Sequence, residues 1–160
     1  MRAIALLTSC LAGCSAGPWL AASDVPPVRQ EQDVDCGAAA LASLLAHWGI
    51  STSLAELREA CAMDVEGIAA GKLREVVRAK GLEAYLIRAT REDLEYELCF
   101  GRPVLVGLVR SDRTHYVLVT GVSPSHARLV DPAAGTVERS WPAFEREWAA
   151  AANLALVVFK

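Results

Sequence analysis

The sequence predicts an α+β domain in which amino-terminal helices pack on an antiparallel β-sheet. Helix signals dominate residues 35–101, whereas short β-rich runs separated by turn signals dominate residues 102–159. The helical and strand-like segments come in blocks and do not alternate, which favours an α+β fold over a parallel βαβ sheet. A chain of 160 residues that is 53% hydrophobic and 22% charged is long enough for one domain with a core.

Three helices are predicted in the first half of the chain. The first runs from Cys36 to about Trp48, with Asp35 as its amino-terminal cap and a glycine as its stop. Ser53 begins a second helix in "LAELREACA". The segment "AAGKLREVVRAKG" is predicted to form a third helix, which ends at Gly81.

The remaining segments predict a sheet with two further helices. "LEAYLIRA" is strand-like, and Thr90 with Asp93 resembles a capping box ahead of a helix in "LEYELCF". Four short runs then predict an antiparallel meander: "PVLVGLV", "THYVLVTGV", "HARLVD" and "GTVERSW". A last helix, "PAFEREWAAA", is expected to precede a final strand, "LALVVF".

The amino terminus has the layout of a secretory signal. "MRAIALLTSCLAGC" carries one positive charge, then an apolar run, then small residues. Its end, "LAGC", resembles the lipobox of bacterial lipoproteins, which are cut before a cysteine that receives a diacylglyceryl group. We expect a signal peptide over residues 1–13, lipidation at Cys14, a tether over residues 14–27 and the domain proper over residues 28–160. An ordinary export signal is the alternative.

Composition excludes several classes of function. The net charge is −3 and lysine and arginine form no run, so nucleic acid is not an expected partner. The cysteines and histidines show no C-x-x-C or H-x-x-x-H spacing, so neither a zinc site nor another cofactor is expected. Cys61 and Cys99 lie in apolar settings and are expected to be buried thiols, with a disulfide between them as the alternative.

Cys36 is the first candidate for reaction chemistry. It falls at the first position of the predicted helix, where free N–H groups and the helix dipole stabilise a thiolate. Gly37 beside it has no side chain to block a substrate backbone. Cys36 nevertheless precedes three alanines, so its placement alone leaves two interpretations open, a nucleophile and a small core residue.

Of the three histidines, His115 is the best candidate for a base that activates Cys36. His47 lies eleven residues further along the same helix, about 16 Å from Cys36 at ~1.5 Å per residue. His126 follows "SPS" in a turn and is expected to be exposed. His115 opens a strand, where its side chain shares a face with every second residue.

Two further groups would complete such a site. Asp131 ends a strand expected to lie beside that of the histidine and is the candidate to orient the imidazole, although a plain Asp-Pro turn is the alternative. Asp112 and Glu138 are weaker candidates for the same role. The backbone N–H of Cys36 and the side-chain amide of Gln30 are candidate donors to an oxyanion.

The joint pattern resembles a known family. Gln30, Cys36 followed by Gly, His115 followed by Tyr, and Asp131 followed by Pro are similar, in order and spacing, to the bacteriocin-processing peptidases, the papain-like domains that cut double-glycine leader peptides. The resemblance covers residues 28–160. It implies a papain-like cysteine peptidase fold, with Cys36 as nucleophile, His115 as general base and acid, Asp131 as orienting carboxylate and Gln30 as oxyanion donor.

The resemblance also sets the expected partners. Many members of that family are the cytosolic amino-terminal part of an ABC exporter, whereas this sequence has an export signal and no ATP-binding G-x-x-x-x-G-K-[ST] motif. We therefore expect a membrane-anchored endopeptidase on the periplasmic face of the outer membrane, with a peptide or protein substrate and a possible partner in the export machinery. A cell-wall amidase of the same fold and a non-catalytic peptide-binding module are the alternatives.

Overall fold

The structure is a computed structural model that describes residues 19–22 and 25–160. The predicted signal peptide and Cys14 lie outside the described residues. Within the described part of the chain, no helix combines the length and the apolar character needed to cross a membrane.

Helices and strands follow one another in the order expected for an α+β domain, with one short strand added at the start. They are β1 (Leu20–Ala21), α1 (Cys36–His47), α2 (Leu54–Ala60), α3 (Ala70–Ala79), β2 (Glu83–Arg88), α4 (Arg91–Cys99), β3 (Val104–Arg110), β4 (Arg113–Val122), β5 (His126–Asp131), β6 (Gly135–Ser140), α5 (Trp141–Ala150) and β7 (Leu154–Phe159). The predicted fold class is therefore confirmed.

The strands form a single antiparallel sheet in the order β2-β7-β3-β4-β5-β6, and β1 pairs with β4. Strands β3 to β6 are neighbours in chain order, which is the predicted meander. The final strand behaves differently, because β7 inserts between β2 and β3. The sheet therefore joins a strand from the helical half of the chain to the meander.

Helices cover both faces of the sheet and create two cores. Helix α1 is buried along almost its whole length, and the side chains of Leu41, Leu44 and Leu45 are fully buried in the first core. Burial of each such leucine stabilises the fold by about 2 kcal/mol. Helices α4 and α5 cover the other face, where Trp148 of α5 lies in the second core. The alanines of α1 let this helix lie close to β4, which carries His115.

The predicted helix boundaries have the expected local causes. Ser53 and Glu56 form a capping box at the start of α2, and Thr90 and Asp93 form another at the start of α4. Gly81 follows α3 with a φ of +84°, a left-handed conformation that glycine adopts without strain.

The predicted capping role of the Asp35 side chain is wrong. Asp35 is the residue before α1, but its carboxylate makes no hydrogen bond to the first turn of the helix. It accepts hydrogen bonds from the backbone N–H groups of Glu31, at 3.4 Å, and Gln32, at 3.1 Å, and it pairs with Arg58 of α2. The Asp35 carboxylate therefore binds the guanidinium of Arg58 and the backbone of its own loop, and not the N–H groups of the helix.

Two other expectations also differ from the structure. Cys61 is buried as predicted, but Cys99 is exposed, and the two form no disulfide with each other. Part of the expected tether belongs to the sheet, because Leu20 lies opposite Val122 in the β1–β4 pair. The apolar side chain of Leu20 also packs against the second core, which gives this short strand its stabilisation.

Candidate active site

Cys36 stands at the amino terminus of α1, beside a cavity of about 270 Å³. Its residue surface is 7% exposed, so the thiol is nearly buried and yet lines the cavity. As the first residue of a helix, its N–H has no partner inside the helix, and the positive end of the helix dipole lies at this position. This environment favours an anionic sulfur.

His115 and Asp131 meet at the same end of the sheet. Strands β4 and β5 are paired, with Leu118 opposite Val130, and this register brings the two side chains together. Nε2 of His115 lies 2.8 Å from Oδ1 of Asp131. Because Nε2 is used in this way, Nδ1 is the ring nitrogen left for the hydrogen bond between His115 and Cys36.

The electrostatics of this cluster favour a thiolate–imidazolium pair. Burial raises the pKa of the Cys36 thiol, but hydrogen bonds with His115 and with the backbone of Tyr116 outweigh it, so that the pKa falls below its ordinary 9.0. Burial alone would lower the pKa of His115. Hydrogen bonds to Asp131 and Cys36, and the charges of both, instead raise the pKa of His115 to about 9.

The carboxylate of Asp131 is held by three donors. Burial opposes its ionisation, but hydrogen bonds with His115 and Arg110 hold the pKa of this carboxyl well below its usual range. Oδ1 also accepts from the backbone N–H of Ala133 at 2.9 Å, and Oδ2 accepts from Nη1 of Arg110 at 2.6 Å. Asp131 is thus an ionised residue with only 2% of its surface exposed.

Gln30 lies near this cluster but is engaged elsewhere. Its backbone N–H donates to the carbonyl of Pro132 at 3.0 Å, which places the loop beside Asp131. Its Nε2 donates to the carbonyl of Gln32 at 2.9 Å, and its buried Oε1 has no hydrogen-bond partner among the described residues. The structure therefore brings Cys36, His115 and Asp131 together, whereas the amide of Gln30 is turned towards its own loop.

Gly37 allows close packing of α1 against its neighbours. It was expected to leave room for a substrate backbone, and the structure does not show that room. A Cβ added at Gly37 would lie 3.2 Å from Cδ2 of Tyr116 and 3.3 Å from Cβ of Ile68. The loop that carries Ile68 also brings Gly67 close to the carbonyl of Val34. The cavity beside Cys36 is therefore walled on this side by a tightly seated loop.

Sequence reasoning missed several residues of the cavity wall. Arg110, Glu66 and Ile68 line the cavity with the candidate catalytic groups, and Tyr116 separates it from the core. A second cavity of about 580 Å³ shares Glu66, Ile68 and Tyr116 with the first and continues towards Lys72 of α3. The two cavities therefore share part of their walls. Only Tyr116 carried a signal in the sequence, as the residue after His115.

The other candidates lie outside the cluster. The ring of His47 contacts Trp48 edge to face. His126 is half-buried, not exposed as predicted, and its Nδ1 lies 2.9 Å from Oγ of Ser125. Glu138 pairs with Arg128 on the neighbouring strand. No group of three or more possible metal-ligating side chains occurs within residues 19–22 and 25–160.

Comparison with known proteins assigns this architecture to a family. The model of the Peptidase C39 family matches residues 24–159, nearly the whole described domain. The chain belongs to the peptidase C39 family. Members of this family are cysteine peptidases, so the enzyme class expected from the sequence is confirmed.

Relatives with known roles show the same domain. The chain is 27% identical over 122 residues, 76% of its length, to the lactococcin-G-processing and transport ATP-binding protein LagD of Lactococcus lactis subsp. lactis. The peptidase domain of Streptococcus ComA, a bifunctional ABC transporter, superposes with a TM-score of 0.76 at 28% identity, over 84% of this chain and 98% of that one.

A second related structure was solved with a peptide in place. It is a double glycine motif protease from an AMS/PCAT transporter in complex with the leader peptide, and it superposes with a TM-score of 0.73 at 26% identity. The match covers 86% of this chain and 93% of that one. By contrast, the chain spans only 17% of the length of LagD, so the likeness concerns a small part of that protein.

Proposed function

We propose that this chain is an endopeptidase that cleaves leader-like peptides through Cys36, His115 and Asp131. The observation that carries the proposal is the hydrogen-bonded series of these three side chains at the amino terminus of α1, beside the cavity. The series has the order of a nucleophile, a base and an orienting carboxylate. Membership of the C39 family supports the same assignment.

The geometry supplies each step of acylation. The thiolate of Cys36 attacks the carbonyl carbon of the scissile peptide bond, and the carbonyl oxygen takes the negative charge. His115, protonated because its pKa is raised to about 9, donates the proton on Nδ1 to the leaving nitrogen. The carbon–nitrogen bond breaks, the amine leaves, and a thioester to Cys36 remains.

Hydrolysis then restores the site. Neutral His115 accepts a proton from a water molecule that attacks the thioester carbon. The carbon–sulfur bond breaks, the acid product leaves, and Cys36 returns as a thiolate beside protonated His115. Asp131 stays ionised throughout, because its hydrogen bonds hold its pKa well below the working range.

We assign the oxyanion to the backbone N–H of Cys36 and to the side-chain amide of Gln30. Support for Gln30 comes from its half-buried position next to Pro132 and from its unpartnered Oε1. For this role the side chain has to turn away from the carbonyl of Gln32, which releases the NH₂ group for the oxyanion. A Gln30→Ala change is expected to lower kcat by about 10²-fold, the cost of one lost oxyanion donor.

The substrate we propose is a peptide with small residues before the cleaved bond, such as a double-glycine leader. The seated loop at Ile68 and the ring of Tyr116 narrow the cleft next to Cys36, which disfavours bulky residues there. The related protease solved with its leader peptide supports the same class of substrate.

The deciding experiment is cleavage of a synthetic leader peptide that ends in Gly-Gly before a short cargo sequence. The wild-type domain should cut after Gly-Gly, and Cys36→Ala and His115→Ala proteins should not, with unchanged melting temperatures. His126→Ala is the matched control and should retain activity, since the imidazole of His126 lies beside Ser125 and outside the cluster around Cys36. Full activity of Cys36→Ala would overturn the proposal, and cutting of a Val-Val version at equal rate would overturn the substrate assignment.

We also propose that the chain is an exported lipoprotein anchored through Cys14. Stable anchoring needs more than one acyl chain, and the diacylglyceryl group expected on the cysteine of the lipobox-like "LAGC" carries two. A Cys14→Ser protein should appear in the soluble exported fraction, whereas the matched Cys10→Ser protein should stay with the outer membrane. Membrane retention of the Cys14→Ser protein would contradict the anchor. A Ser15→Asp change should move the protein to the inner membrane.

A further inference from the structure

A chain of charged side chains continues behind Asp131, on the side away from His115. Nη1 of Arg110 donates to Oδ2 of Asp131 at 2.6 Å, and Nε of the same guanidinium donates to Oε2 of Glu147 at 2.7 Å. Arg139 pairs with the other oxygen of Glu147. Arg110 ends β3, Glu147 lies on α5 and Arg139 on β6, so three elements converge behind one carboxylate.

We propose that Arg110 is a positioning residue that acts through Asp131. One edge of its guanidinium fixes Oδ2 and thereby keeps Oδ1 on Nε2 of His115, while Glu147 fixes the guanidinium itself. This inference rests on the proposed function, because a role in orienting His115 has meaning only if His115 serves Cys36.

The hydrogen-bond geometry gives the reason. A carboxylate rotates about its last bond, and Asp131 has two acceptors directed at different partners. Oδ1 already serves His115 and the backbone of Ala133, so Arg110 alone determines where Oδ2 points. The side chain is 2% exposed, so solvent has little access to replace a lost donor, and the carboxylate would turn to regain one.

Arginine suits this position better than lysine. Its planar guanidinium presents donors in fixed directions, and Arg110 uses two of them at once, towards Asp131 and towards Glu147. A single ammonium group offers one nitrogen, so it cannot hold the same two carboxylates along the edges of one plane. The proposal therefore predicts that geometry, beyond charge, is required at residue 110.

Charged and titratable groups from several elements surround the pair of Arg110 and Asp131. His115 of β4, Cys36 of α1, Glu147 of α5 and Arg139 of β6 are the groups linked to it, and the charged residues that line the same cavity are Arg113, Asp33 and Glu66. The pair of Arg128 with Glu138, on β5 and β6, offers a matched control. Its arginine is 34% exposed, close to the 27% of Arg110, and it has no link to His115.

The test compares Arg110→Met, Arg110→Lys and Glu147→Gln with Arg128→Met as control. The first readout is the rate at which iodoacetamide alkylates Cys36 as a function of pH, followed by mass spectrometry of the peptide that contains Cys36. This readout needs no substrate and reports the thiolate directly. The second readout is kcat and KM on the Gly-Gly leader peptide.

In Arg110→Met, the pH midpoint of Cys36 alkylation should rise by about 1 unit, because a turned Asp131 stabilises the imidazolium less. The kcat should fall about 10-fold or more, and by a larger factor than KM changes, because Arg110 lines the cavity but acts on the reacting groups through Asp131. Arg110→Lys should lose activity as well, and Glu147→Gln should shift both readouts in the same direction by less. Arg128→Met should match the wild type.

A wild-type midpoint and a wild-type kcat in Arg110→Met would overturn the inference, as would a change confined to KM. If that protein does not fold, Glu147→Gln decides, and wild-type readouts in it overturn the inference. Full activity of Arg110→Lys would overturn the geometric requirement. Failure of the proposed function looks different: the wild-type Cys36 would then show no thiolate at low pH, before any variant is compared.

Discussion

Two arrangements of the same residue types flank Cys36, one on the helix side and one on the sheet side. Each consists of a buried aspartate, an arginine that pairs with it, and a glutamate that shares the arginine. On the helix side they are Asp35, Arg58 and Glu31, and on the sheet side they are Asp131, Arg110 and Glu147.

The two differ in what else the aspartate binds. The carboxylate of Asp35 accepts hydrogen bonds from backbone N–H groups of its own loop, so it holds residues 31–35 in place. The carboxylate of Asp131 takes the imidazole of His115, so its charge sets the protonation of a reactive group. The further partner of the aspartate therefore decides whether the ion pair holds a loop in place or acts on the charge of a histidine. The residue types alone do not tell which.

The largest expected effect is on the sheet side. Asp131→Asn should lower kcat by about 10² to 10⁴-fold, because the neutral amide no longer stabilises the imidazolium or selects its tautomer. Cleavage of the Gly-Gly leader peptide measures it. Glu138→Gln, on the next strand, is the control and should cut normally. If the kcat of the Asp131→Asn protein were within threefold of the wild-type value, Asp131 would have no more influence on the reaction than Asp35 is expected to have.

The helix side should show its effect in stability. Asp35→Asn should lower the free energy of unfolding by about 2 to 3 kcal/mol, because Asp35 is fully buried and its loop loses a charged acceptor. Urea denaturation measures the change. The kcat of the folded fraction should fall far less than in Asp131→Asn. An unchanged denaturation midpoint would show that the loop does not need this carboxylate.

A third prediction concerns pH. Below the lowered pKa of Cys36 the thiol is protonated and activity is lost, and above about pH 9 His115 loses the proton that the leaving group needs. The kcat/KM profile should thus be bell-shaped, with its alkaline limb near pH 9. Cys61 is the internal reference, since burial raises its pKa to about 11 and it should alkylate slowly throughout. A profile that rises with pH up to 10 would exclude the ion pair.

The smallest expected effect is at Glu31, whose side chain is 65% exposed. Glu31→Gln should leave activity unchanged and the melting temperature within about 2 °C, because exposed ion pairs contribute little. Differential scanning calorimetry measures it beside Asp35→Asn. A large loss of stability would mean that the outer glutamate, and not the buried aspartate, holds the loop.

Much of the fold was predictable because its signals are local. The capping residues Ser53 and Thr90 and the turn glycine Gly81 each act within a few residues of their own position. The meander was predictable for the same reason, since neighbouring strands are joined by short turns. The insertion of β7 between β2 and β3 was not, because nothing local specifies a distant partner.

The site divides in the same way. Cys36, His115 and Asp131 were predicted because their types and order match a pattern, and the register of β4 and β5 brings the last two together. Arg110 was missed because an arginine at a strand end is common, and only folding reveals its carboxylate partners. The side chain of Asp35 was assigned to the helix because Arg58, 23 residues later, carries no local sign of the pairing.

The insertion of β7 also determines when the enzyme can exist. Cys36, His115 and Asp131 have all been synthesised more than twenty residues before β7, yet β2 and β3 are joined only when β7 pairs with both. Until then β2 is separate from the strands of the meander, and contacts this distant in sequence form late. A growing chain therefore carries Cys36, His115 and Asp131 before the sheet that positions two of them is complete.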